Sequence, residues 1–477
     1  MDLHLILKER FGYTHFRTGQ KEVIQHVLNK HDCVAILPTG MGKSLCYQLP
    51  GYILPGSVLI ISPLVSLMED QVMQMRKNGE KRVVALNSFL SFAERNRVIS
   101  RLGDYKFIFV SPEMLSHEFF GSQLKRIEIG LIVVDEAHCI SQWGFDFRPD
   151  YLRIGEYLSG WKSPILALTA TADTKVINDI TSYLKMDEPA IERHSLDRPN
   201  ISYSIIQLNS TTEKTTWIKE RIFQTTGPGI IYTSSRKRAD ELATELQGAG
   251  LRIQSYHAGK EQDERAIIQE QFLNDELEWI CATNAFGMGV HKSDIRQVIH
   301  EHLPSNIAGY LQEVGRAGRD GLPSIATLLY MPRDERMTSF IIQSDRPDES
   351  QMRHYMKLLT EDHDPSTSAE LAGLSDTGRR IVDYYLERYS LDEINERMKT
   401  LSAEKESELQ KMINLVQSDR CIRETALSYF GETCREKPEA CCSTCGLNGL
   451  EWLEEKTNKK KWSEKVTWDE RITKLLG

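Results

Sequence analysis

Cys33-Val34-Ala35-Ile36-Leu37-Pro38-Thr39-Gly40-Met41-Gly42-Lys43-Ser44 is the stretch on which the reading of the chain turns. Its small and apolar opening reads as a short buried strand. A turn with two glycines follows, then a Lys-Ser pair able to open a helix. A nucleoside triphosphate needs this layout: backbone N–H groups free to curl round anionic oxygens, a lysine for the β- and γ-phosphates, and a hydroxyl for Mg²⁺. The strict phosphate-loop pattern places glycine five positions before Gly42, where this chain has Leu37. Thr39, Gly40, Met41, Gly42, Lys43 and Ser44 form the shorter version. An ordinary strand–turn–helix corner is the alternative, and the surrounding sequence has to decide between them.

Just upstream lies Leu7–Gln20. Gln20 carries a donor and an acceptor suited to an adenine edge, and Tyr13 offers a face to stack on. Taken alone, this segment also fits an amphipathic helix entry with core aromatics. Downstream, apolar runs at Ser57–Ser62, Phe107–Ser111, Gly130–Val134 and Ile165–Thr169 alternate with amphipathic stretches. That alternation is expected of a parallel sheet covered by helices, with ligands gathering at the carboxyl ends of the strands.

One of those ends carries Asp135-Glu136-Ala137-His138. Two adjacent acids after a buried Ile-Val-Val run are costly unless a cation meets them. With a phosphate loop nearby, Asp135 is expected to hold Mg²⁺ together with Ser44, and Glu136 to polarise the attacking water. An acid pair facing a helix dipole is the plainer alternative. The loop after it contains Trp143, Phe145, Phe147 and Arg148, with polar residues between the aromatics. Aromatic faces and an arginine make a stacking surface for unpaired bases.

The alternation restarts after Pro199-Asn200, with strands expected at Gly229–Thr233, Arg252–Tyr256, Trp279–Thr283, Gln297–His300 and Ala326–Leu329. Their polar tips include Ser234, Arg236 and His257, placed to follow a phosphodiester backbone. Gln312–Asp320 then presents Arg316 and Arg319, each preceded by glycine. Arginine stabilises charge on a transferring γ-phosphoryl group, and in a two-lobed ATPase such arginines complete the site on the first lobe. A basic surface turn is the alternative.

Taken in order, these segments resemble the RecQ family of superfamily 2 DNA helicases over about residues 5–446. The match runs through Leu7–Gln20, Gly40–Ser44, Asp135–His138 with its aromatic loop, Leu168–Ala172, Ala285–Val290 and Gln312–Asp320. The resemblance implies ATP-driven, 3′-to-5′ unwinding of DNA in repair, recombination or replication. It assigns Tyr13, Arg17 and Gln20 to adenine, puts Gln312 in the catalytic set, and gives Arg319 the arginine-finger role with Arg316 beside it. An RNA helicase or remodeller, and a nucleic-acid-binding ATP switch without strand separation, stay open as alternatives.

The expected architecture is α/β: a RecA-like parallel-sheet domain over 1–205, a second over 206–338, a helical zinc-binding region over 339–446 with an insertion, and a charged tail over 447–477. Nine cysteines are unevenly spread, and Cys421, Cys434, Cys441, Cys442 and Cys445 crowd together. No export signal precedes them, so metal is expected before disulfides. Cys421, Cys441, Cys442 and Cys445 offer four thiolates to a structural Zn²⁺, with Cys434 as a substitute ligand. Ser390-Leu391-Asp392-Glu393 reads as a capping box opening a short helix, within a region expected to be a helical buttress more than a DNA-touching helix–turn–helix. Only residues 446–477 follow the last cysteine, fewer than the ~40 an independent fold needs, so the family's winged-helix and accessory domains are expected to be absent. The run Lys456–Lys461 reads as a solvated tail able to brush phosphates.

Bulk properties agree. At 477 residues, ~150 per domain allows about three. The net charge of −9 excludes a bulk polycation, so DNA must be gripped by local patches. No apolar run reaches the ~20 residues of a membrane span. The expected cofactors are ATP, Mg²⁺ and Zn²⁺. The expected partner is single-stranded DNA or a tailed duplex, with single-stranded-DNA-binding and other repair proteins beyond it. A monomer is expected, in the cytoplasm and at the nucleoid if the source is bacterial.

Overall fold

In the computed structural model, residues 2–63, 65–87, 90–141, 149–286, 292–344, 347–434, 436–447 and 453 are described. The four aromatic-loop residues Trp143, Phe145, Phe147 and Arg148 lie outside them, as do 287–290 and the tail lysines.

Seven strands form the first sheet: β1 Cys33–Ile36, β2 Ser57–Ile61, β3 Val83–Leu86, β4 Phe107–Val110, β5 Ile129–Val134, β6 Ile165–Thr169 and β7 Ala190–Arg193. Their order is β3-β4-β2-β5-β6-β1-β7, and every pairing is parallel. The second sheet contains β8 Ile201–Gln207, β9 Gly229–Tyr232, β10 Ile253–Tyr256, β11 Trp279–Ala282, β12 Gln297–His300 and β13 Ser324–Tyr330, in the order β10-β11-β9-β12-β13-β8 and again wholly parallel.

Central strands are buried on both faces, which is why their sequences are continuous apolar runs. Alternate residues feed opposite layers: Val34 and Ile36 pack into one core, Cys33 and Ala35 into another. The first of these cores is continuous through Ile230, Tyr232 and Val298 of the second sheet to Cys421 and Cys442.

The expected division at 205/206 falls inside β8, which is bonded to β13, so the sheets part between Arg193 and Ile201. Edge strands β3, β7 and β8 were not expected from sequence. Burial alternates residue by residue along β7, so it lacks the apolar run that marks a central strand.

Beyond β13 the chain is helical. Ser390 makes the expected capping box, but the helix it opens is Leu391–Gln417, 27 residues long rather than short. Its apolar stripe, Ile394, Met398, Leu401, Leu409, Met412 and Val416, is buried beneath a strongly charged outer face. This region buttresses the first lobe. Leu152 joins its core, Arg153 meets Glu387 at 2.7 Å, Arg388 meets Glu156 at 2.9 Å, and Arg380 lies 3.3 Å from Glu113 and 3.2 Å from Asp150.

Candidate active site and metal centre

The turn after β1 takes the left-handed conformation at Gly40 and Gly42, φ +84° and +72°, which side chains rarely tolerate. Lys43 and Ser44 follow, and the helix Leu45–Ile53 begins there. Lys43 Nζ sits 3.5 Å from Glu136 Oε1 at the end of β5. Lys43 Nζ and Glu136 Oε2 are both buried and, among the described residues, neither has a hydrogen-bond partner. Glu136 has φ +46°, a strained value for a residue with a side chain.

Burial opposes the charge on Glu136, yet Lys43, His138 and Arg316 together hold its carboxyl below the usual range. Asp135 goes the other way. Burial, then the Glu136 charge, raises it to about 6. A buried acid in that position is stabilised by a cation. His138 Nδ1 is 3.4 Å from Glu136 Oε2 and 3.0 Å from Thr169 Oγ1. The Thr169 hydroxyl donates to the Thr171 carbonyl at 3.0 Å, so the imidazole Nδ1–H is the donor to it. This ties the acid box to the Leu168–Ala172 segment.

From the second lobe, helix Ile307–Val314 and the turn after it reach the phosphate loop. Thr39 Oγ1 donates to the Gly315 carbonyl at 2.9 Å. A Cβ on Gly40 would lie 3.1 Å from Arg319 Cγ, so that side chain runs directly over the loop. Burial, then the nearby Arg316 and Arg198, pulls the Arg319 guanidinium down to about 9. Arg316 is buried, and its Nε has no hydrogen-bond partner among the described residues. Gln312 is buried too, lining a small gap with Thr39, Thr171 and Arg198.

Tyr13, Arg17 and Gln20 border a cavity of about 500 Å³ whose floor includes Gly42 and Ser44. Tyr13 is exposed, as a stacking face requires. Gln20 does not face the cavity with a free amide. Its Nε2 donates to the carbonyls of Met41 at 2.8 Å and Gly42 at 3.1 Å, and its Oε1 accepts from Arg17 N at 2.9 Å. Arg17 in turn donates to the Gly40 carbonyl. The pair braces the loop from behind.

At the tips of the second sheet, Ser235 rather than Ser234 caps the helix Arg236–Gly248, its Oγ accepting from Arg238 N. Ser234 is half-buried and Arg236 exposed. His257 is buried, with Nε2 3.0 Å from Asp240 Oδ1 and Nδ1 accepting from Gly259 N at 3.2 Å. Both ring nitrogens are engaged, so it shapes the rim and does not present a free donor.

The sulfurs of Cys421, Cys441, Cys442 and Cys445 lie within 4.8 Å of one another. Cys421 is 3.6 Å from Cys441 and 3.8 Å from Cys442. A tetrahedron built on Zn–S bonds of ~2.3 Å has edges of about 3.8 Å, so the set fits zinc. Against its burial, the N–H groups of Ile422 and Cys445 draw the Cys442 thiol down to about 7, while burial and the neighbouring thiols push Cys441 up to about 11. Cys434 bonds the Glu436 carbonyl instead and is outside the cluster.

Sequence reasoning missed the frame around this metal centre. Residues 440–443 run along the free edge of β8: Ser202 Oγ donates to Ala440 O at 2.7 Å, Tyr203 N to Cys441 O at 3.2 Å, and Ser443 N to Tyr203 O at 2.8 Å. Arg423, 1% exposed, donates to Asp197, to Arg198 O and to Ile201 O. Arg198, also missed, spans the cleft. Its only sequence signal is its position beside Pro199-Asn200.

The chain is similar to known proteins along its whole length. The chain matches the DEAD/DEAH box helicase family over residues 17–180, the helicase conserved C-terminal domain over 213–321 and the RecQ zinc-binding family over 382–446. A probable ATP-dependent DNA helicase RecS of Bacillus subtilis is 40% identical across 100% of this chain and 98% of its own length. The ATP-dependent DNA helicase RecQ of Pasteurella multocida is 43% identical over 69% of this chain, which spans 52% of that protein. Among solved structures, Mycobacterium smegmatis helicase Lhr bound to single-stranded DNA and AMP-PNP superposes with a TM-score of 0.57 at 19% identity, covering 71% of this chain and 49% of that one. That last likeness concerns the fold alone.

Proposed function

The chain belongs to the RecQ family of ATP-dependent DNA helicases, and from that premise we propose that it hydrolyses ATP to move 3′-to-5′ along single-stranded DNA and separate the duplex ahead of it. The observation that carries the reading is the composite cleft: Lys43 and Glu136 from the first lobe lie opposite Arg316 and Arg319 from the second, with Arg319 packed on Gly40.

In this reading the N–H groups of 40–44 and Lys43 hold the phosphates, and the Tyr13–Arg17–Gln20 cavity takes the adenine. Gln20 would exchange one of its loop bonds for the base. Ser44 and Asp135 would hold Mg²⁺, which when bound neutralises charge on the β- and γ-phosphates. The buried Asp135 carboxyl and the unpartnered Lys43 Nζ and Glu136 Oε2 are donors and acceptors of the right chemistry. Glu136 orients the attacking water and takes its proton, and His138 keeps Glu136 in place. Arg316 and Arg319 meet the charge that develops on the γ-phosphoryl oxygens. The cation pair is brought there only when the lobes are together, so nucleotide closes the cleft and hydrolysis releases it.

DNA would follow the rim formed by Ser234, Arg236 and the helix N-terminus behind them, with the bases meeting the loop that contains Trp143, Phe145, Phe147 and Arg148. His257 supports that rim through Asp240. We further assign zinc to the four-cysteine site as a structural ion, and a monomer working in the cytoplasm, at the nucleoid in a bacterium, with single-stranded-DNA-binding and repair proteins as partners. Among the described residues no helix is long and apolar enough to cross a membrane. The RNA-helicase and non-unwinding alternatives are not favoured, since the RecQ zinc-binding match and the DNA-helicase relatives point elsewhere.

Strand displacement tests the proposal. With ATP and Mg²⁺, a 3′-tailed duplex should be opened and a 5′-tailed one left intact. Opening of the 5′-tailed substrate alone would reverse the polarity. DNA-stimulated hydrolysis without displacement of either strand would remove the helicase reading.

A further inference from the structure

We propose that Arg198 is a positioning residue for ATP hydrolysis: it locks the turn bearing Arg316 and Arg319 onto the phosphate loop when the cleft is closed. The inference rests on the reading of this cleft as an ATPase site, and it assigns a role to a residue outside every motif described above.

Arg198 sits on the linker between the sheets, in neither lobe's core. Its Nη1 donates to Thr39 O at 3.2 Å and to Gly315 O at 3.4 Å. Its Nη2 donates to Ala317 O at 3.2 Å and to Gly318 O at 2.6 Å. One guanidinium therefore bonds the first lobe's phosphate loop and the second lobe's arginine-bearing turn together. Thr39 Oγ1 adds a direct bond across the same seam, and a Cβ on Gly315 would lie 2.3 Å from it, so the two backbones are in close contact. Arg316 and Arg319 each directly follow a residue whose carbonyl Arg198 holds, Gly315 and Gly318. A shift of this turn moves both cations relative to Lys43 and Glu136.

The fork matters as much as the charge. Four carbonyls on two segments need several N–H donors in one plane, which guanidinium has and ammonium lacks. The base of the fork is fixed as well. Arg423 of the zinc unit donates to Arg198 O at 3.1 Å and bonds Asp197 and Ile201 O on either side. Asn200 Nδ2 donates to Gly318 O at 2.8 Å and Leu322 O at 2.9 Å, holding the far end of the turn. The linker is thus clamped from the zinc side while its arginine reaches into the cleft.

The test compares Arg198→Lys and Arg198→Ala with wild type in a steady-state ATPase assay saturated with single-stranded DNA, with zinc content and nucleotide-free DNA affinity measured on the same preparations. Misplacing the arginines by a fraction of an ångström should lower kcat by about tenfold or more in both variants, with KM for ATP within about threefold of wild type. Zinc content and DNA affinity should hold, which a merely structural role for Arg198 would not produce. A kcat loss smaller than about fivefold in Arg198→Lys shows that the fork is not needed and overturns the assignment, as does a KM rise that matches the kcat loss. If Arg198→Ala does not fold, Arg198→Lys decides by the same criteria; if neither folds, Arg198 belongs to the structural frame and the assignment falls. Wild type carries the underlying reading separately: an inactive wild type removes the ATPase site, whereas an active one with active variants removes only the role of Arg198.

Discussion

Replacing Glu136 with Gln should stop hydrolysis while leaving nucleotide bound. The substitution keeps the volume of the side chain and the backbone at φ +46°, so its effect is confined to charge and proton transfer. In the present arrangement Oε1 is 3.5 Å from Lys43 Nζ and Oε2 is 3.4 Å from His138 Nδ1. The single amide oxygen can face Lys43 or His138 but not both, and an amide cannot take a proton from water. Loss of a positioned general base costs about 10²–10⁴ in rate, equivalent to about 3–5 kcal/mol on the barrier. Binding should move in the opposite sense, because removing an anion near the triphosphate frees Lys43 for the phosphates. The fold should tolerate the change as well. Asp135 is raised to about 6 by burial and by the Glu136 charge, so neutralising one member of the pair relieves the other. Single-turnover hydrolysis with single-stranded DNA, alongside titration with a fluorescent ATP analogue, separates these effects. Turnover within about tenfold of wild type, or a loss of binding parallel to the loss of rate, would refute the role given to Glu136.

Four further outcomes are expected. Gly315→Ala sets a methyl 2.3 Å from Thr39 Oγ1; the helical backbone accepts alanine, so the protein should fold, but the cleft cannot seat and DNA-stimulated ATPase should drop by about tenfold or more. Cys442→Ser should release zinc and loosen residues 440–443 from β8, costing about 3–4 kcal/mol in denaturant unfolding for the four edge hydrogen bonds, the fourth from Ile205 N to Ser443 Oγ, whereas Cys434→Ser should keep about one zinc per chain by metal analysis. His302 has its imidazole lowered to about 4, chiefly by burial, with Glu313 opposing and His300 adding to the shift. The unfolded chain then binds the extra proton between about pH 6.5 and 4, so stability falls on acidification through that window, by about 2 kcal/mol at most from pH 7 to 5; urea midpoints of His302→Asn should show a correspondingly flatter pH dependence. Arg388→Ala should detach a partly exposed pair with Glu156 together with the stacking of the guanidinium on Tyr384 and its bond to the Tyr384 carbonyl, and lower stability by about 1–2 kcal/mol, read as a shift in thermal midpoint.

How much of this was legible in the sequence depended on where each signal is stored. Central strands were legible because burial on both faces forces an apolar run, and the phosphate loop because φ above zero forces glycine at Gly40 and Gly42. Edge strand β8 was hidden for the converse reason: its sequence Ile201–Gln207 is fitted to β13 on one side and to the cysteine-bearing segment on the other, a partner more than 200 residues away. The 27-residue helix looked short because its charged outer face dominates the composition, although Ile394, Met398 and Leu401 repeat at helical spacing. The choice between Cys434 and Cys441 could not be made from spacing, since both precede Cys445 by plausible intervals, and only the fold turns Cys434 toward Glu436. His257 and Gln20 expose a different limit. Residue type announced a polar side chain near a ligand edge, but not whether its hydrogen-bonding atoms were already engaged, by Asp240 and Gly259 in one case and by the phosphate loop in the other. Arg198 is the extreme instance. Among the described residues it bonds only backbone carbonyls, and a carbonyl has no identity in sequence, so its place beside Pro199-Asn200 was the one signal it left. The interactions that join the two lobes across this seam are largely of that kind, which is why the chemistry of each half could be read in advance and the closing of one upon the other could not.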